Sequence, residues 1–123
     1  MSTSLIDSAV WEKWRQFEIA ENSPGFFLDL LQTGLTSTPP LMASLKQAFA
    51  DQDIKNVIYF SHTLSSSCRS LGASQLASQL KDIEWAARAT PPTIQNELLP
   101  LSQKMFEAFV EELKREIARI KHA

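Results

Sequence analysis

Between Asp53 and Gly72 the chain reads IKNVIYFSHTLSSSCRSL, and this segment shows the periodicity of an amphipathic helix. Gly72 suits the left-handed backbone conformation that commonly follows the last turn of a helix. The segment therefore predicts a helix with one buried face and one face exposed to solvent. The residues expected on the buried face recur every three or four positions: Ile54, Val57, Ser61, Leu64, Cys68 and Leu71.

Three further helices are predicted before this segment. The first starts at Asp7, whose carboxylate can cap it, with Ile6 and Trp11 placed to form a hydrophobic staple. The second starts at Pro24 and the third at residues 38–40 (Thr-Pro-Pro), because proline is favoured in the first turn of a helix. The apolar faces of these helices are, in order, Val10, Trp14 and Phe17; Phe27, Leu30, Leu31 and Leu35; and Leu41, Leu45, Ala48 and Phe49.

Two helices are predicted after the segment. Ser74 can cap the next helix, residues 90–92 (Thr-Pro-Pro) end it, and a kink is expected near the start of the last helix at Pro100. Because no segment alternates apolar and polar residues, the six helices predict an all-α fold, an antiparallel bundle forming a single domain of residues 1–123. The apolar faces of these two helices are Leu76, Leu80, Ile83 and Ala87; and Met105, Phe109, Leu113, Ile117 and Ile120.

The composition excludes several classes of function. The 123 residues suit one domain that needs neither a metal nor a disulfide to fold, and a single cysteine excludes an intramolecular disulfide. Twelve basic and fourteen acidic residues, a net charge of -2, give no indication of nucleic-acid binding. No apolar run is long enough to span a membrane, and residues 1–10 show no signal peptide. We therefore expect a cytoplasmic protein, and a monomer, because the apolar faces suffice to close one bundle.

His62 is the residue that says most about function. It lies roughly 140° from the centre of the apolar face, so it points outward together with Lys55, Tyr59, Ser66 and Arg69. An exposed neutral imidazole near cations is a competent nucleophile near neutral pH. Most exposed histidines have no chemical role, however, so the periodicity alone leaves both interpretations open.

From His62 to Ala73 the chain reads HTLSSSCRSLGA, followed by Leu76, Leu80, Ile83 and Glu84. This arrangement resembles the signature of the histidine-containing phosphotransfer (HPt) family: His-x-Leu-Lys-Gly/Ser-Ser, then Leu-Gly-Ala, then a leucine-spaced helix ending in Glu. The resemblance extends over nearly the whole chain and implies an antiparallel four-helix bundle with accessory N-terminal helices.

The same resemblance implies a function. His62 would accept a phosphoryl group from a receiver-domain aspartate and pass it to another receiver in a two-component phosphorelay. The implied partners are receiver domains of response regulators and hybrid histidine kinases. The protein would be a phosphocarrier without autonomous catalytic activity and would need no cofactor.

One position departs from the family pattern. Relatives usually have a lysine three residues after the histidine, where its ammonium helps to hold the phosphoryl group, whereas this chain has Ser65, followed by the small Ser66. Arg69, or Arg88 at the end of the next helix, can supply the missing charge. Alternatively, the protein is a non-catalytic module that binds a receiver or a kinase without carrying phosphate. Glu84 matches the family position near the phosphohistidine, with an ordinary surface ion pair as the alternative.

The remaining reactive residues favour structural roles. Cys68 lies on the apolar face, which indicates a buried, inert thiol. The only other histidine, His122, lies at the C-terminus, so the paired Glu-x-x-His motifs of a di-iron bundle are absent and no metal site is predicted. Without a glycine-rich phosphate loop, nucleotide binding is not expected. Trp85 is either an interface anchor or half-buried against the neighbouring hairpin.

Overall fold

Five α-helices make up residues 5–123, the part of the chain that the computed structural model describes. No strand occurs among these residues, which confirms the all-α prediction. Residues 1–4, which belong to the predicted domain and to the segment considered for a signal peptide, lie outside the described part. The assignment of residues 1–123 to a single domain stays a prediction. The helices are α1 (Ser8–Ala20), α2 (Phe26–Ala50), α3 (Ile54–Ser70), α4 (Ser74–Arg88) and α5 (Leu98–Lys121).

Helices α2 to α5 form a four-helix bundle in which each helix packs against the next and α5 packs back against α2. Two contacts show that α3 and α4 run in opposite directions: Ser65 bonds to Ala77, and the earlier His62 contacts the later Glu84. Every bundle helix contributes a buried apolar stripe, and burial of this surface stabilises the bundle by about 25 cal/mol per Å². The centre of the core consists of Leu31, Leu45, Val57, Leu64, Leu76, Leu80, Ile83, Phe109 and Leu113.

Helix α2 corrects the prediction of two separate helices in this region. It runs without interruption through Pro39 and Pro40, where the sequence predicted a new helix. An interior proline removes a backbone hydrogen bond and costs about 3 kcal/mol. Here, buried side chains before and after the pair, including Leu31 and Leu45, lie along one continuous face. Because breaking the helix would separate the two halves of this stripe, tertiary packing overrides the local preference.

Helix α1 lies across one end of the bundle as an accessory N-terminal helix. Asp7 caps it by accepting a hydrogen bond from the Ala9 backbone N–H. The indole N–H groups of Trp11 and Trp14 donate to the backbone carbonyls at the C-terminal end of α3, each at 2.7 Å. The prediction that these two tryptophans serve structure is therefore confirmed.

The turns on either side of α3 follow the predicted signals in part. Asp53 caps α3 by accepting from the Asn56 N–H, and Gly72 has the expected positive φ of 88°. Ser74 does not cap α4; it is the first helical residue, and Ala73 occupies the N-cap without a side-chain hydrogen bond. Pro100 lies in the first turn of α5, where its missing N–H removes no helical hydrogen bond, so the bonding pattern requires no kink.

Two of the bundle helices are long, α2 with 25 residues and α5 with 24. Within residues 5–123, no helix combines enough length with enough apolar character to cross a membrane.

Candidate functional site

The His62 ring lies on the outside of the bundle, in the middle of α3, with its side chain 52% exposed. Its position follows from the helical periodicity, because Val57, Ser61, Leu64 and Cys68 occupy the opposite, buried face. A surface cavity of about 350 Å³ lies between the start of α1 and the last turns of α5, and His62 does not line it. The imidazole is therefore presented on an open surface, which suits contact with another macromolecule.

A buried carboxylate on α4 holds the imidazole from one side. Both oxygens of Glu84 lie 3.1 Å from His62 Nδ1, while the Glu84 side chain is only 6% exposed. Arg88 Nε donates to Glu84 Oε2 at 2.7 Å, and Lys81 Nζ lies 3.6 Å from Glu84 Oε1. One carboxylate thus joins an exposed imidazole to two cations of α4.

The pKa of Glu84 reflects two opposing causes. Burial raises the pKa of this carboxyl, but the hydrogen bonds from Arg88 and His62 and the charges of His62 and Lys81 lower it. The lowering causes together outweigh burial, so the pKa lies below its ordinary value. Glu84 is consequently an ionised acceptor near neutral pH, able to fix the orientation of the ring.

Ser65 follows His62 by one helical turn, but its side chain is directed into the bundle. It is 1% exposed, and its hydroxyl donates to the Ala77 carbonyl of α4 at 2.8 Å. Because this buried hydroxyl already donates to α4, the place of Ser65 in the surroundings of a phosphoryl group stays a prediction. Position 65 serves the packing of α3 against α4.

The other predicted site residues fall into two groups. Glu84 contacts the His62 ring, and Arg88 is connected to the ring through its hydrogen bond to Glu84. Ser66 and Arg69 are exposed on the outward side of α3, one and two turns after His62. Within the described residues, the Arg69 side chain forms no ion pair.

Lys81 was not selected from the sequence, although a signal for it existed. Glu84 follows it by three residues, a spacing at which a lysine and a glutamate on a helix are neighbours. This spacing links Lys81 to the site only because Glu84 contacts His62, and that contact is between two helices.

Two large aromatic side chains are exposed in this region, Tyr59 at 59% and Trp85 at 63%. Tyr59 precedes His62 by one turn, and Trp85 lies between Lys81 and Arg88 at helical spacing. The alternative that Trp85 is half-buried against the hairpin is therefore wrong. We use the name His62 face for the surface formed by Tyr59, His62, Ser66 and Arg69 of α3 with Lys81, Trp85 and Arg88 of α4.

Other groups that could carry chemistry are not arranged for it. Cys68 is buried, as predicted, and burial raises its pKa to about 12, so the thiolate that would react is not formed near neutral pH. Across residues 5–123, no cluster of three or more His, Cys, Asp or Glu residues could hold a metal ion.

Comparison with known proteins connects this geometry to a family. The model of the Hpt domain family matches residues 29–123, from the first turn of α2 to the end of the chain. In fold, the chain is similar to the crystal structure of histidine-containing phosphotransfer protein B from Pseudomonas aeruginosa, with a TM-score of 0.82 and 21% identity over 96% of this chain and 98% of that one. A comparison with curated protein sequences finds no significant match. Because the family model spans most of the chain, the protein belongs to the Hpt domain family, whose members work with receiver domains and histidine kinases in phosphorelays.

Proposed function

We propose that this protein accepts a phosphoryl group on His62 from the aspartyl phosphate of a receiver domain. It then passes the group to the aspartate of a second receiver. It is a phosphocarrier, and the groups that catalyse each transfer, including the Mg²⁺ that neutralises the phosphoryl oxygens, belong to the partner.

The observation that carries this proposal is the contact of Glu84 with Nδ1 of an exposed imidazole. A neutral histidine has one protonated and one unprotonated ring nitrogen, and a carboxylate beside Nδ1 favours the proton on that atom. The lone pair is then on Nε2, the other ring nitrogen. Of the two predicted interpretations of Glu84, the family position near the phosphohistidine is favoured over an ordinary surface pair, because its carboxylate is buried and bonded to the ring. There it can orient the nucleophile.

The transfer step follows from this arrangement. The Nε2 lone pair attacks phosphorus in line, and the bond between phosphorus and the aspartyl oxygen breaks, releasing the aspartate as a carboxylate. The proton stays on Nδ1, so the phosphorylated ring carries a positive charge next to the negative charge of Glu84. The same charge makes the ring a good leaving group in the reverse reaction, which fits a carrier that must both accept and release.

The His62 face provides the docking surface in this proposal. Trp85 and Tyr59 offer exposed aromatic area, a type of residue enriched at interfaces. Arg69 and Arg88 offer positive charge toward the acidic surroundings of an aspartyl phosphate, and the small Ser66 leaves room for the partner to approach the ring. Helix α1 lies farther from the imidazole, since it contacts α3 at Ser70, about 12 Å along the helix from His62.

The proposal is tested with a receiver domain carrying radioactive phosphate on its aspartate. The wild-type chain should acquire label that is labile in acid and stable in base, as expected for phosphohistidine. His62→Gln should abolish labelling while leaving the fold intact, because the side chain is exposed. His122→Gln, which changes the only other histidine, is the matched control and should label normally.

Two outcomes would contradict the proposal. Label that persists in His62→Gln and disappears in His122→Gln would move the acceptor to the C-terminus. Binding of the receiver without any labelling would favour the alternative function, a module that binds a receiver or a kinase without carrying phosphate. The monomeric state and the cytoplasmic location stay predictions.

A further inference from the structure

We propose that Lys81 of α4 supplies the positive charge that relatives place on a lysine three residues after the histidine, and that it holds the phosphoryl group on His62 together with Arg88. The inference rests on the proposed function, since it concerns the same imidazole. It assigns a role to a residue of α4 that the family signature does not include.

Position 65 supplies no charge to the His62 site in this protein. Ser65 is almost fully buried, and its hydroxyl is bonded to the Ala77 carbonyl. The charge near the phosphoryl group must therefore come from elsewhere.

Phosphorylation of His62 would concentrate negative charge around Glu84. A phosphoryl group on the ring brings about two negative charges near neutral pH, and the Glu84 carboxylate adds a third close by. Like charges at short range repel each other, and partial burial strengthens the effect. The protonated ring offsets one of these three negative charges and Arg88 offsets a second. Lys81, the second cation in contact with this carboxylate, offsets the third.

Lys81 lies closer to the Glu84 carboxylate than the cations of α3 that flank His62. Lys81 and Arg88 lie on either side of Glu84 along α4, at spacings of three and four residues, so they flank the carboxylate that contacts the ring. Lys55 and Arg69 are each seven residues from His62 along α3, about 10.5 Å along the axis, and neither contacts Glu84. The Lys81 side chain is 37% exposed, and its flexible stem allows the ammonium to move from Glu84 to a phosphoryl oxygen.

The inference is tested on phosphohistidine made chemically. Phosphoramidate phosphorylates histidine without a receiver domain, and a His122→Gln background restricts the reaction to His62. The pKa of the phosphoryl group is then followed by ³¹P NMR. A nearby cation favours the dianion and lowers this pKa, so Lys81→Ala should raise it. The expected increase in the protonation constant is about two- to fivefold, the effect of one partly exposed charge pair.

Two matched variants accompany the measurement. Lys55→Ala removes one positive charge from the same hairpin without touching Glu84 and should leave the protonation constant unchanged. Lys81→Arg keeps the charge and should restore the wild-type value. Since a structural role of Lys81 would not produce this pattern, circular dichroism is needed only to show that each variant is folded.

The inference is overturned if Lys81→Ala leaves the protonation constant unchanged, or if Lys55→Ala raises it equally. A separate assay with a phosphorylated receiver keeps the two proposals distinct. Normal labelling of His62 combined with no effect of Lys81→Ala removes only the role of Lys81. A clear effect of Lys81→Ala on chemically made phosphohistidine, with no labelling from receivers, contradicts the proposed function while retaining the local charge assignment.

Discussion

Two buried glutamates, each held by two cations, occupy different regions of the molecule. Glu84 joins α3 to α4 on the His62 face, with Lys81 and Arg88 as its cations. Glu116 of α5 lies below the accessory helix, and its carboxylate accepts from Arg15 of α1 at 2.5 Å and from Arg119 at 2.6 and 2.8 Å. Both side chains are at most 10% exposed.

The two clusters differ in what the carboxylate holds besides its cations. Both oxygens of Glu116 are bonded to guanidinium groups, and the Arg15 guanidinium also lies over the Phe27 ring at 4.8 Å, so the cluster ties α1 to α2 and α5. Glu84 instead shares its oxygens with the exposed imidazole of His62. A buried ion-pair cluster is therefore insufficient to indicate function. The two clusters differ because Glu84 contacts the exposed imidazole of His62, which can react with a partner or change its charge.

The largest expected difference between the clusters concerns phosphotransfer. Glu84→Gln should lower the rate of transfer to His62 by about tenfold, because the loss of one charge-assisted hydrogen bond of about 1.5 kcal/mol corresponds to that factor. The same substitution at Glu116 is the matched control and should leave the rate unchanged. Single-turnover transfer from a phosphorylated receiver measures both variants. Equal losses in the two would show that the clusters are not functionally different.

A smaller effect is expected on the attachment of α1. Arg15→Ala removes the ion pair between α1 and α5 and should lower the free energy of unfolding by about 1 kcal/mol, since the guanidinium is partly exposed. Hydrogen exchange should accelerate at the amides of α1 and stay unchanged in α3 and α4. Arg115→Ala, which changes an exposed arginine of α5 outside this cluster, is the control. Faster exchange around His62 would show that the two regions are coupled.

The smallest effect concerns the stability of the folded protein at low pH. Hydrogen bonds from Arg119, opposed by burial and assisted by Arg15, hold the pKa of Glu116 below its ordinary value. A lowered folded-state pKa means that the unfolded chain takes up its proton first as the pH falls. Glu116 therefore contributes its full stabilisation at pH values above the ordinary pKa of the carboxyl, about 4.3. This contribution is lost as the pH falls through the lower pKa of the folded protein.

Urea unfolding between about pH 3 and about pH 6 can measure this contribution. The wild-type chain should lose stability over the acidic part of the range, and Glu116→Gln should lose less, because its amide does not titrate. An identical acid dependence in the two proteins would show that Glu116 contributes nothing to it. Glu84, whose pKa is also lowered, should account for part of the loss that remains.

Much of the fold was predictable because helical periodicity is a local property. The spacing of apolar residues predicted the faces of α3, α4 and α5, and Asp7 and Gly72 marked helix ends that the structure confirms. The exception is α2, where the local signal of two prolines opposed a longer-range one. Only the packing of residues on both sides of Pro39 decides that the helix continues.

The candidate site divides in the same way. The sequence by itself determined that His62 points away from the core, because this depends on spacing along one helix. Through the family signature it marked Glu84, and it named Arg88 as one candidate for the missing charge. Only the tertiary structure decided what happens between helices: that Glu84 contacts Nδ1, that Lys81 joins the same carboxylate, and that Ser65 is turned toward Ala77. These contacts depend on the register of α3 against α4. That register is set by the packing of whole helix faces, which no single segment of the sequence contains.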